Sequence, residues 1–207
     1  MKKILILFAH PKFEKSRANS ALINQIKDKE NVYVHDLYEH YPNFHINVAF
    51  EQELISAHDV IIWHHPFYWY SCPPLMKQWI DMVLEFDWAY GPNGNALLGK
   101  TCLNAITTGG SKDVYCSQGY NSFTVEQFLR PFEQTANLCG MTYLPPFAVM
   151  GTHTLSDEAL QKNCEDYDKL LDLLQDEFHL GAFKDCPFLN DLPQLKNTPK
   201  QSLTLTV

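Results

Sequence analysis

Three clusters in this sequence carry the residue types needed to hold an anion and a flat ring. The first, His10-Pro11-Lys12-Phe13-Glu14-Lys15-Ser16-Arg17-Ala18-Asn19, follows an apolar run and opens a helical pattern. Ser16 and Asn19 are small polar donors where an anion would sit over the free N–H groups of a helix start, and Arg17 adds charge. Plain capping of the helix by Ser16 is the simpler role for the same residue. The second cluster, His64-His65-Pro66-Phe67-Tyr68-Trp69-Tyr70-Ser71-Cys72-Pro73-Pro74, sets four consecutive aromatics after an apolar strand. At least some of those rings must face outward, and a flat conjugated ligand or an aromatic dimer interface accounts for them. In the third, Thr107-Thr108-Gly109-Gly110-Ser111 with Tyr115 and Asn121, paired glycines let backbone N–H groups approach a ring closely. Alone, that third cluster is equally a tight turn.

Other chemistries find little support. No G-x-G-x-x-G or Walker pattern is present, and His64-His65 has no nearby third ligand, so no metal is expected. The six cysteines form no C-x-x-C, which reads as reduced thiols in a cytoplasm. A net charge of −8 argues against nucleic acid as a partner. The apolar run after Met1-Lys2-Lys3 is too short for a signal peptide, and none approaches the roughly 18 residues of a membrane span, so a soluble protein is expected.

The positioning elements follow from periodicity. Apolar or alternating runs predict strands over 2–9, 31–37, 58–63, 101–107 and 141–150, the last interrupted by Pro145-Pro146. Helical spacing predicts helices over 18–27 and 47–57, from Pro73-Pro74 through Val83, over 125–138 with a kink or division at Pro131, and from Ser156 towards Phe178. Strands alternating with helices imply an α/β fold with a parallel sheet covered on both faces. Ligands in such folds bind beyond the carboxyl ends of the strands, where all three clusters fall. Residues 1–190 read as one domain, and 191–207 as a tail that wraps or dangles.

Together the clusters resemble the NAD(P)H:quinone oxidoreductase family, which has a flavodoxin-like fold. Phe86-Asp87-Trp88-Ala89-Tyr90-Gly91 and Leu129-Arg130-Pro131-Phe132-Glu133-Gln134-Thr135-Ala136 resemble the ancillary flavoprotein subunits of glutathione-gated potassium-efflux systems. The resemblance implies a doubly wound, five-stranded parallel sheet and a bound flavin, FMN or FAD, with NAD(P)H as co-substrate and quinones as acceptors. It assigns His10, Ser16, Arg17, Ala18 and Asn19 to the flavin phosphate and ribityl chain, Pro66, Phe67, Tyr68, Trp69 and Tyr70 to the flat ring, and Thr107, Thr108, Gly109 and Gly110 to its pyrimidine edge. Tyr115 and Asn121 are the implied catalytic pair, and Trp88, Tyr90 and Tyr120 the implied walls of the substrate pocket. It further implies a homodimer, and as alternatives a regulatory subunit at the inner face of a membrane bearing a potassium-efflux transporter, or a flavodoxin-type electron carrier. Better-known quinone reductases carry a histidine where this chain has Asn121, which can hydrogen-bond but cannot take up a proton.

Overall fold

The computed structural model describes residues 1–176, 183 and 186–196. Six strands form one parallel sheet: β1 (Ile4–Phe8), β2 (Val32–Asp36), β3 (Val60–Pro66), β4 (Thr101–Thr107), β5 (Thr142–Tyr143) and β6 (Phe147–Val149). Their order is β2-β1-β3-β4, with β5 and β6 both beyond β4. β5 pairs with the start of β4 (Thr101↔Thr142) and β6 with its end (Ala105↔Phe147). The two short strands are one strand position broken at Pro145-Pro146, whose nitrogens have no hydrogen to give a ladder.

The helices are α1 (Arg17–Ile26), α2 (Leu37–His40), α3 (Val48–Ser56), α4 (Pro74–Val83), α5 (Val125–Phe128), α6 (Arg130–Leu138), α7 (Asp157–Gln175) and α8 (Pro193–Lys196). Alternation along β1 sorts the two cores. Ile4, Ile6 and Phe8 join a cluster with Leu22 of α1 and Leu170 of α7, while Leu5 and Leu7 join one with Trp79 of α4 and Phe132 of α6. Of the apolar stripe that helical spacing predicts in α4, Leu75, Met76, Trp79 and Val83 are wholly buried and Ile80 is partly buried against the same core. At about 1.5–3 kcal/mol per large apolar side chain, that burial outweighs the marginal intrinsic stability of a ten-residue helix.

The sequence and the structure differ at a few boundaries. β3 runs through His64, His65 and Pro66, so both histidines are strand residues, shielded from solvent. The 125–138 helix divides at Leu129, with Pro131 in the first turn of α6. Short α2 escaped periodicity because it is local, with Asp36 accepting from the amides of Tyr38 and Glu39. Ser156 caps α7, which ends at Gln175; residues 177 and 178 lie outside the described residues. After Asn190, Leu192 and Leu195 are buried against the α1/α7 cluster, and 197–207 lie outside the described residues.

Candidate functional site

At the carboxyl edge of the sheet two clefts adjoin, sharing Phe67. The first, of about 330 Å3, is lined by His10, Ser16, Arg17, Ala18 and Asn19 after β1, Pro66, Phe67 and Tyr68 at the end of β3, and Thr107 and Gly109 at the end of β4. The second, of about 390 Å3, is lined by Phe67, Trp69, Tyr70, Gly110, Tyr115, Tyr120 and Asn121. The structure therefore brings nearly every residue singled out in the sequence to one edge. Thr108 lines neither cleft: it is buried, and its hydroxyl donates to the Gly110 carbonyl at 2.6 Å. Trp88 and Tyr90 line neither cleft of a single chain either. They lie in the segment between α4 and β4, packed against the core on the α4 side of the sheet.

The first cleft is built for an anion. Ser16 is the N-cap of α1, its Oγ accepting from Asn19 N, and the amides of Arg17 and Ala18 find no acceptor among the described residues. Lys12 and Lys15 also line the cleft and add positive charge. The Arg17 guanidinium is turned away to the Leu155 carbonyl and Asp157, both at 2.7 Å, so its contribution to the cleft is its backbone. His10 is buried and accepts at Nδ1 from Lys12 N, which leaves its proton on Nε2. Burial pushes its pKa down, against the pull of Glu14, so the ring is a neutral donor.

The second cleft depends on unusual backbone. Ser71 N bonds Tyr68 O, and between them Trp69 (φ 49°) and Tyr70 (φ 63°) both occupy the left-handed region. Such a turn ordinarily carries Asn-Gly, and two bulky aromatics there are strained. Trp69 in this turn is 93 % accessible, and Tyr120 of the loop after β4 is 90 % accessible, so exposed rings rim the cleft. Beneath them, Gly109 and Gly110 have φ outside the positive range, and their missing side chains serve packing. A Cβ on Gly109 would stand 2.7 Å from His153 Nε2, and one on Gly110 2.8 Å from Val114 Cγ2. The amides of Trp69, Tyr70, Gly109 and Gly110 have no acceptor among the described residues. Burial raises the Tyr115 phenol, against a hydrogen bond with Thr108, so it keeps its proton.

Thr152 and His153 also line the first cleft, and the sequence reading missed them. The signal was available: they follow the fifth strand position, whose carboxyl end obeys the same rule as the others. A larger cleft, about 580 Å3, lies between α6 and the Pro145-Pro146 break. Size does not mark the site here, because that cleft is away from the strand ends and the free amides.

The sequence profile described as the flavodoxin-like fold matches residues 2–171. The chain belongs to this family. Among flavodoxin-like relatives, it is 45 % identical over 170 residues to the glutathione-regulated potassium-efflux system ancillary protein KefF of Enterobacter sp. (strain 638), covering 82 % of this chain and 96 % of the relative. The structure of general stress protein 14 from Treponema denticola in complex with FMN is 39 % identical, with TM-score 0.80 over 84 % of this chain and 99 % of that one. An NADPH-quinone reductase from P. pentosaceus is 32 % identical, with TM-score 0.76 over 86 % and 99 %. Among the described residues of this flavodoxin-like chain, no helix is long and apolar enough to cross a membrane.

Proposed function

We propose that this chain holds FMN across the two adjoining clefts and acts as an NAD(P)H:quinone oxidoreductase. The observation that carries the reading is the set of amides without an acceptor among the described residues: Arg17 and Ala18 at the helix start in the first cleft, and Gly109, also lining the first, with Trp69, Tyr70 and Gly110, lining the second. A phosphate suits the former and the polar edge of a flat ring the latter. The FMN-bound relative and the quinone reductase relative support the choice of FMN and of quinone acceptors. When bound, FMN would supply the chemistry of passing a hydride equivalent from NAD(P)H to a quinone, with the second proton from solvent, while the residues of the two clefts bind and orient it.

In this reading Ser16, His10 and the start of α1 bind the phosphate, Asn19 supports Ser16 from behind, and Lys12 and Lys15 screen its charge. Phe67, Tyr68 and the Trp69-Tyr70 turn wall the ring, Gly109 and Gly110 lie along its edge, and Thr107 faces the first cleft. Tyr115 donates towards developing negative charge and Asn121 towards the acceptor. A two-fold dimer would bury the outward rings and bring Trp88 and Tyr90 of one copy towards the aromatic cleft of the other.

Purified protein is expected to be yellow, to release FMN on denaturation and to scatter light as a dimer. Colourless protein that also ignores added FMN and FAD rejects the reading. The 45 % identity to a potassium-efflux ancillary protein, over nearly the whole length of that protein, favours a second role beside a membrane transporter. Potassium efflux measured with and without this chain tests it.

A further inference from the structure

Behind the first cleft runs a buried chain of hydrogen bonds that starts on α7. Tyr167 of α7 and His64 of β3 are wholly shielded, and Asn19 is nearly so. The Tyr167 hydroxyl lies 3.2 Å from His64 Nδ1, and His64 Nε2 lies 3.2 Å from Asn19 Oδ1. Asn19 Nδ2 then reaches Ser16 Oγ at 2.9 Å and Thr107 Oγ1 at 3.0 Å.

Imidazole, amide and hydroxyls can all reverse, so the chain has two opposite polarities. Its buried end decides between them. Among the described residues the Tyr167 hydroxyl has one partner, His64 Nδ1, and a buried O–H with no acceptor is costlier than a spare lone pair. Tyr167 therefore donates. His64 then carries its proton on Nε2 and gives it to Asn19 Oδ1, and both amide hydrogens of Asn19 go to Ser16 and Thr107. Ser16 Oγ also accepts from Asn19 N at 3.3 Å, so its own proton is left for the cleft. In the reverse polarity, the Ser16 and Thr107 protons would turn inward and lone pairs would face the anion.

We propose that Tyr167, acting through His64 and Asn19, is a positioning residue that aims the hydroxyl protons of Ser16 and Thr107 at a phosphate in the first cleft. The inference rests on the reading of that cleft as the FMN phosphate site. Burial, with smaller contributions from His65 and His10, pushes His64 down to about 3, so the ring stays neutral and one nitrogen always accepts.

Fluorescence titration of flavin-stripped protein with FMN and with riboflavin, which lacks the phosphate, tests the assignment. Tyr167→Phe is expected to weaken FMN binding about tenfold while riboflavin stays within about twofold. Unchanged FMN affinity, or equal losses for both flavins, overturns the proposal. Wild-type protein that binds neither flavin removes the site reading, and the inference with it. Nitrogen-15 NMR of wild-type His64 keeps the test open should the variant not fold. A proton on Nε2 is expected, and one on Nδ1 overturns the assignment.

Discussion

The phenol of Tyr70 donates to Asn121 Oδ1 at 3.2 Å, tying the strained turn after β3 to the loop after β4. With its oxygen engaged, Asn121 has its Nδ2 hydrogens to offer to whatever fills the second cleft. One bond thus fixes which end of an amide meets the acceptor.

Tyr70→Phe is therefore expected to leave FMN bound and to raise KM for a quinone a few-fold, with kcat within about twofold. An exposed hydrogen bond of about 0.5–1.5 kcal/mol sets that scale. Asn121→His is expected to raise quinone turnover and to add an ionisation near pH 6.5, because imidazole can deliver a proton where an amide cannot. Steady-state pH profiles of the two variants and the wild type check both, and a flat KM in Tyr70→Phe removes the orienting role.

Tyr115 lies over Gly110, and an added Cβ there would stand 3.4 Å from its hydroxyl. Tyr115→Phe is expected to keep the cofactor and to slow nicotinamide-driven bleaching of the flavin about tenfold, since neighbouring amides share the developing charge. Stopped-flow absorbance separates this step from product release. Equal bleaching rates would place Tyr115 outside the reaction.

Most of this layout was legible because strand periodicity and the carboxyl-edge rule are local and topological. They located His10 to Asn19, Pro66 to Tyr70 and Thr107 to Gly110 without a contact being known. Pairings across large sequence separations were not legible. Arg17 was expected to add charge to the cleft, yet its guanidinium bonds the Leu155 carbonyl and Asp157. Likewise the sequence showed His64 only as half of a histidine pair without a third metal ligand, and only the fold sets it between Asn19 and Tyr167. Trp88 and Tyr90 carry the family's motif but line neither cleft of a single chain.

The turn at Trp69 and Tyr70 predicts a trade between stability and function. Trp69→Asn with Tyr70→Gly keeps the backbone and relieves two left-handed non-glycine residues, each costing on the order of 1 kcal/mol. The double variant is expected to melt about 2–6 °C higher and to bind quinones more weakly, having lost two walls of the second cleft. Calorimetry alongside quinone KM measures both, and an unchanged or lower Tm would mean the turn stores no strain.

Glu51 gives the last prediction, which concerns stability alone. Its carboxylate is wholly buried and accepts from His35 Nε2 at 2.7 Å, Tyr41 Oη at 2.5 Å and Trp79 Nε1 at 2.6 Å, joining β2, the loop after α2, α3 and α4. Burial alone would raise its pKa, but the donors from His35, Tyr41 and Trp79 bring it below the ordinary value of 4.5. A carboxyl whose folded pKa lies below its unfolded one stabilises the fold above the unfolded value. That contribution fades as pH falls from about 4.5 through the folded pKa. Glu51→Ala, which orphans three buried donors, is expected to cost about 3–5 kcal/mol at pH 7, and Glu51→Gln less because it still accepts. Urea unfolding at pH 7 and pH 3.5 should show the wild type losing more stability on acidification than Glu51→Gln. Parallel losses would mean that this carboxylate carries no share of the acid sensitivity.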